Sequence, residues 1–180
     1  MKNINKKRIV LVLVFLLIGS LLIKGSVEVM AVDDYGAKGA KQVEDYTLEE
    51  MLVYAIQDEY LALAEYELII NEFGEQRPFS NIIKAEKHHI ELLIPLFEKY
   101  DINIPSDNST DHVILPTDIK LALETGVKAE VENIEMYDNF LKKDIPEDVS
   151  EIFNRLLNGS RNHLRAFENG LNRNNRVNRY

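Results

Sequence analysis

Four stretches of this chain repeat apolar residues at three- and four-residue spacing, the period of a helix with one buried face. In the first, Leu48, Leu52, Ala55, Ile56, Ala62, Leu63, Tyr66 and Ile70 share a stripe. Thr47-Leu48-Glu49-Glu50 opens it with the spacing of a capping box and Gly74 follows its end, so the pattern predicts a helix over residues 47–73. A second helix is expected over residues 78–100, starting beside Pro78, with Phe79, Ile82, Ile83, Ile90, Leu93 and Phe97 on one face and a kink at Pro95. The third, over residues 118–143, carries Leu123, Val127, Ile134, Tyr137 and Leu141. A short turn around Asp144-Ile145-Pro146 leads to the fourth, residues 147–171, with Ile152, Phe153, Leu156, Phe167 and Leu171. The polar tail, residues 172–180, is expected to fray.

Two short connections flank one long one, residues 101–117, which holds Pro105, Pro116 and a Ser/Asp/Asn cluster. Antiparallel neighbours need only a few linking residues, whereas a crossover along the length of a bundle needs many. The expectation is an all-α fold, a four-helix bundle over residues 47–171 with a long crossover between helices 2 and 3. A disordered insert would give the same spacing.

The start of the chain follows a different pattern. Lys2, Lys6, Lys7 and Arg8 precede an apolar run from Ile9 to Leu17 that resumes at Leu21, Leu22 and Ile23, the layout of a secretory signal. Val29-Met30-Ala31 offers a cleavage site after Ala31, with an uncleaved membrane anchor as the rival reading. The expectation is export, to the cell envelope or the medium, of a chain whose residues 32–46 form a flexible leader. Removing residues 1–31 takes the formal charge from −9 to −13, because five basic residues and one acidic residue leave. So acidic a chain lacks the Lys/Arg patch that displaces counterions from a phosphate backbone, and nucleic acid is excluded as a partner. Without cysteine there is neither disulfide nor thiolate ligation.

Charge enters the apolar stripes at one level of each helix. Glu59, Glu86, Glu130 and His163 each sit among apolar neighbours, and Glu86-x-x-His89 places a carboxylate and an imidazole one turn apart. A buried carboxylate without a partner costs several kcal/mol. Lys84, Lys87, Lys128 and Arg161 fall on other faces, which leaves metal cations as the compensating charge. The two halves of the chain echo each other. Tyr66 follows Glu59 by seven residues as Tyr137 follows Glu130, and Glu86-x-x-His89 corresponds to Ser160-x-x-His163.

The segments DEYLALAEYELI, AEKHHIELL, VKAEVENIEMYDNFL and SRNHLRAF, across residues 47–171, resemble a ferritin-like domain family of uncharacterised function found in exported prokaryotic proteins. Glu59 with Tyr66, and Glu86-x-x-His89, also resemble the helix motifs of the rubrerythrins. The resemblance implies a ferritin-like bundle with Glu59, Glu86, His89, Glu130 and His163 as metal ligands. It departs at Ser160, where di-iron members place a fourth carboxylate. Three carboxylates leave two divalent cations with one positive charge and a single cation with one negative charge, so one or two ions fit the reading. Ser160 would then donate a hydrogen bond to a ligating oxygen. Oxygen-rich ligation with imidazoles suits iron or manganese, with zinc as a third candidate.

Other polar residues read more plainly. His88 lies about 100° round the helix from His89 and is expected at the surface. His112, in the linker, is expected in solvent, and the pairs Glu65/Glu67 and Glu132/Glu135 as solvated faces. Tyr66 and Tyr137 read as core aromatics whose hydroxyls are satisfied, with a hydrogen bond near the site or a radical relay as the alternative that their equal offsets from Glu59 and Glu130 leave open. Two functions remain. One is an exported iron-dependent oxidoreductase, of ferroxidase or peroxide-reducing type, whose partners are metal ions and oxygen or peroxide. The other is a non-enzymatic bundle with at most a structural metal and a binding surface. Membrane contact is expected only through an uncleaved signal segment, and homo-oligomerisation is left open.

Overall fold

The Glu50 backbone N–H donates to the Thr47 hydroxyl at 3.2 Å, and the Thr47 N–H donates to the Glu50 carboxylate at 2.8 Å. The first long helix therefore begins where its capping box places it. The computed structural model describes residues 34–177. The expected signal segment, its cleavage point and the last three residues of the tail lie outside the described residues. Those described are all-helical, with no strand: α1 (Gly36–Ala40), α2 (Leu48–Phe73), α3 (Phe79–Lys99), α4 (Ile119–Phe140) and α5 (Glu147–Val177). A 3-10 turn at Ser109–Asp111 interrupts the long linker and packs on α2.

Two elements differ from expectation. The leader, expected to be flexible, contains α1, with Tyr35, Ala37 and Ala40 buried. Its small residues let the backbone lie close against α2, where the Ala37 N–H donates to Asp58 Oδ1 at 2.8 Å and the Gly36 N–H to Gln57 Oε1 at 3.3 Å. Gly36 has φ +57°, and a Cβ there would stand 2.6 Å from Asp58 Oδ1. Helix α5 continues to Val177, past the expected end at residue 171, because nothing in residues 172–177 breaks a helix. Helix α3 runs through Pro95 to Lys99, close to its expected end.

Helix α2 packs against α3 and α4, and α5 packs against the same two, so the long helices enclose a common interior. Two apolar clusters fill it. Leu52, Ile56, Leu93, Phe97, Phe140 and Phe153 belong to the larger, and Ile69, Phe79, Ile82, Leu123 and Phe167 to the smaller. Each helix changes cluster partway along its length. Between the two sets of positions lie Glu59, Glu86, Glu130 and His163, the charged residues that interrupt every stripe.

Candidate metal centre

Helical period alone brings Glu59 of α2, Glu86 and His89 of α3, Glu130 of α4 and His163 of α5 inward. All five are buried, none more than 8% exposed. The structure brings them together. His89 Nδ1 lies 3.0 Å from Glu59 Oε2 and 2.9 Å from Glu86 Oε2. His163 Nδ1 lies 3.0 Å from Glu86 Oε1 and 3.4 Å from Glu130 Oε1. The two imidazoles stack with ring centroids 5.6 Å apart. Ligand atoms of Glu59, Glu86 and His89 fall within 4.8 Å of one another, as do those of Glu86, Glu130 and His163. Each set could hold a metal ion, and Glu86 belongs to both.

Protons hold this centre together when no metal is bound. Burial alone would lower the His89 and His163 pKa values, but the carboxylates around each ring outweigh it and raise both to about 10. Burial pushes Glu59 up to about 8 and Glu130 up to about 7, against the opposing pull of the imidazoles. Burial pushes Glu86 in the same direction, yet hydrogen bonds from both histidines hold it down to about 2. Glu86 is thus the anion between two imidazolium rings. The Tyr66 hydroxyl donates to Glu130 Oε1 at 3.1 Å, and the Tyr137 hydroxyl to Glu59 Oε1 at 2.9 Å. Burial, then the carboxylate charges, raises both phenols well above their ordinary pKa, so they remain protonated donors.

Ser160, the position at which the chain departs from a four-carboxylate pattern, is buried. Its hydroxyl, expected to donate to a ligating oxygen, donates instead to Asn133 Oδ1 at 2.7 Å. A further contact of 3.1 Å joins it to the Leu156 carbonyl. The Asn133 amide in turn donates to Asp58 Oδ2. A chain of polar groups thus runs from α5 through α4 to α2 and, through Asp58, to the α1 backbone. Burial raises the Asp58 pKa to about 6.

Two of these residues escaped the sequence reading. Asp58 sits one position from Glu59 and off its stripe. Glu65, read as solvated, is only 9% exposed and has one carboxylate oxygen without a hydrogen-bond partner. Their signal was available: Asp58, Leu61 and Glu65 fall at i, i+3 and i+7 on one face, a second and shorter stripe. Glu67 and Glu135 are exposed as expected, and Glu132 is half-buried. His88 is exposed, 3.3 Å from Glu91. His112, expected in solvent, stacks on Tyr35 with ring centroids 4.3 Å apart, because the linker folds against the α1 segment.

Residues 49–180 match the family described as an uncharacterized protein domain (DUF2202). The chain is 30% identical over 139 residues to the uncharacterized protein MJ0754 of Methanocaldococcus jannaschii, across 69% of this chain and 75% of that protein. The crystal structure of the hypothetical protein MJ0754 from Methanococcus jannaschii is similar with a TM-score of 0.64 and 26% identity. That likeness covers 74% of this chain and 86% of the other. Helix α1 lies ahead of the residues that match the family.

Proposed function

The chain belongs to the uncharacterised DUF2202 domain family, and from the geometry of its buried cluster we propose that it is a ferritin-like metal-binding four-helix bundle. In this reading it holds one or two iron ions and reacts with oxygen or peroxide. The observation that carries the reading is Glu86, whose two carboxylate oxygens face different imidazoles, His89 at 2.9 Å and His163 at 3.0 Å. A carboxylate so placed is set to bridge two cations. Glu59 with His89 would complete one side, and Glu130 with His163 the other.

The donor set fits such ions on its own chemistry. Both imidazoles turn Nδ1 toward the carboxylates, so displacing the protons there frees two nitrogen donors and three carboxylates at once. Carboxylate and imidazole ligation suits iron or manganese, with zinc as a further occupant. Bound iron would supply the electrons that reduce oxygen or peroxide. The protein's part is positional. Tyr66 and Tyr137 each fix one carboxylate oxygen of Glu130 and Glu59, and the apolar clusters limit water at the centre. The basic start and apolar run of residues 1–31 support an exported setting for this chemistry.

Anaerobic titration with Fe(II), followed by air or peroxide, tests the proposal. Saturation at one or two equivalents and a new absorption band on oxidation are expected. Glu130→Ala should lose both while keeping its helical circular dichroism. Iron that binds and then reacts no faster in the wild type than in Glu130→Ala would leave a structural metal and remove the oxidoreductase.

A further inference from the structure

Three cavities that share lining residues decrease in volume from the linker toward the metal centre. The outermost, about 400 Å³, lies between linker residues such as His112 and Ile114 and the faces of α2 and α4. It shares Leu61, Glu65 and Thr125 with a middle cavity of about 100 Å³. The middle one shares Asp58 and Ala129 with an inner cavity of about 20 Å³, whose walls include Glu59, Glu86 and Glu130. Along the helix axes the apolar clusters offer a charged species no such way in.

We propose that this passage is the route by which a divalent cation reaches the centre, with Glu65 as the carboxylate that holds it midway. The inference rests on the metal-binding reading of the centre. One oxygen of Glu65 has no hydrogen-bond partner although the residue is only 9% exposed, and the residue lines both the outer and middle cavities. A buried carboxylate oxygen in that state is an acceptor without a donor, open to a cation. Volume sets the order of events. At roughly 10–15 Å³ of cavity space per water, the middle cavity, about 100 Å³, has room for several waters and the inner cavity, about 20 Å³, for about one. The hydration shell is therefore shed in stages: Glu65 stands first, Asp58 at the constriction contributes charge while its oxygens accept from Ala37 and Asn133, and Glu59, Glu86 and Glu130 follow. Lys38 lines both the outer and the middle cavity and Lys128 the middle one; both are exposed at the rim, where Lys38 offsets part of the Glu65 charge and Lys128 lies 3.9 Å from Glu132. An anion passing them would meet a carboxylate at every narrower point.

Uptake of Co(II) alone by the full chain, followed by its ligand-field absorption in a stopped-flow instrument, tests the route. Glu65→Gln keeps the shape and removes the charge, and Glu67→Gln, on the exposed face, is the control. Glu65→Gln is expected to slow uptake roughly tenfold, the scale of electrostatic focusing in a charged cleft, and to reach the same final occupancy. Glu67→Gln should match the wild type. Equal rates for wild type and Glu65→Gln, with normal binding in both, would overturn the route alone. A wild type that takes up no Co(II) would overturn the metal reading and the route with it.

Discussion

Tyr66 of α2 donates to Glu130 of α4 at 3.1 Å, and the relation is reciprocated when Tyr137 of α4 donates to Glu59 of α2 at 2.9 Å. Each tyrosine belongs to a different apolar cluster, so each end of the core sends one hydroxyl into the centre. Removing either hydroxyl leaves a buried carboxylate short of a donor. Tyr66→Phe and Tyr137→Phe are each expected to lower stability by about 1–3 kcal/mol, read as a lower urea midpoint at unchanged slope. A midpoint equal to the wild type would show that water replaces the phenol.

Metal binding should be a proton exchange. In the metal-free protein His89 and His163 keep their protons up to about pH 10, and Glu59 holds its own up to about pH 8. Ligation needs neutral imidazole and ionised carboxylate, so bound protons compete with metal and affinity rises as pH rises. Co(II) titrations near pH 7 in buffers of different ionisation enthalpy should show release of at least one proton per ion bound, that of the ion's own histidine, with a second from Glu59 at the site that holds His89. An affinity that is flat between pH 6 and 9 would contradict this.

Gly159 decides where His89 can stand. A Cβ at this position of α5 would lie 2.6 Å from His89 Cε1 and 2.7 Å from Nε2. The ring must then move, and Nδ1 moves with it away from Glu59 and Glu86. Gly159→Ala is expected to weaken Co(II) binding by at least about tenfold, the usual order for disturbing a ligand's support. Circular dichroism should remain that of the wild type, which separates lost ligation from lost fold.

Glu65 makes the fold pH-sensitive in a known direction. Burial raises its pKa from 4.5 to about 7, so the folded state prefers the protonated acid. Its favourable contribution is fully present below the unfolded value near 4.5 and is lost as pH rises through about 7. The loss is on the order of 3 kcal/mol by linkage. Glu65→Gln should consequently unfold at higher temperature than the wild type at pH 8, with the gap closing at pH 4.5. A variant less stable at pH 8 would show that the attraction of Lys38 for the ionised carboxylate outweighs the cost of burying it.

The sequence by itself determined the helices and which side chains turn inward. Capping at Thr47 and the 3.6-residue period are local properties, so α2 begins as expected and Glu59, Glu86, His89, Glu130 and His163 all point to the interior. It did not determine what the other faces meet. Asp58 and Glu65 look like solvated residues until α1 and the linker cover them. That covering depends on a hydrogen bond from the Ala37 backbone N–H to the Asp58 carboxylate, 21 residues along the chain, and on Gly36 at positive φ, which no local period encodes. Ser160 is the same case. Its position was legible, but whether its hydroxyl served a ligand or Asn133 depended on how α4 and α5 face each other, and a contact between helices is settled only when they pack.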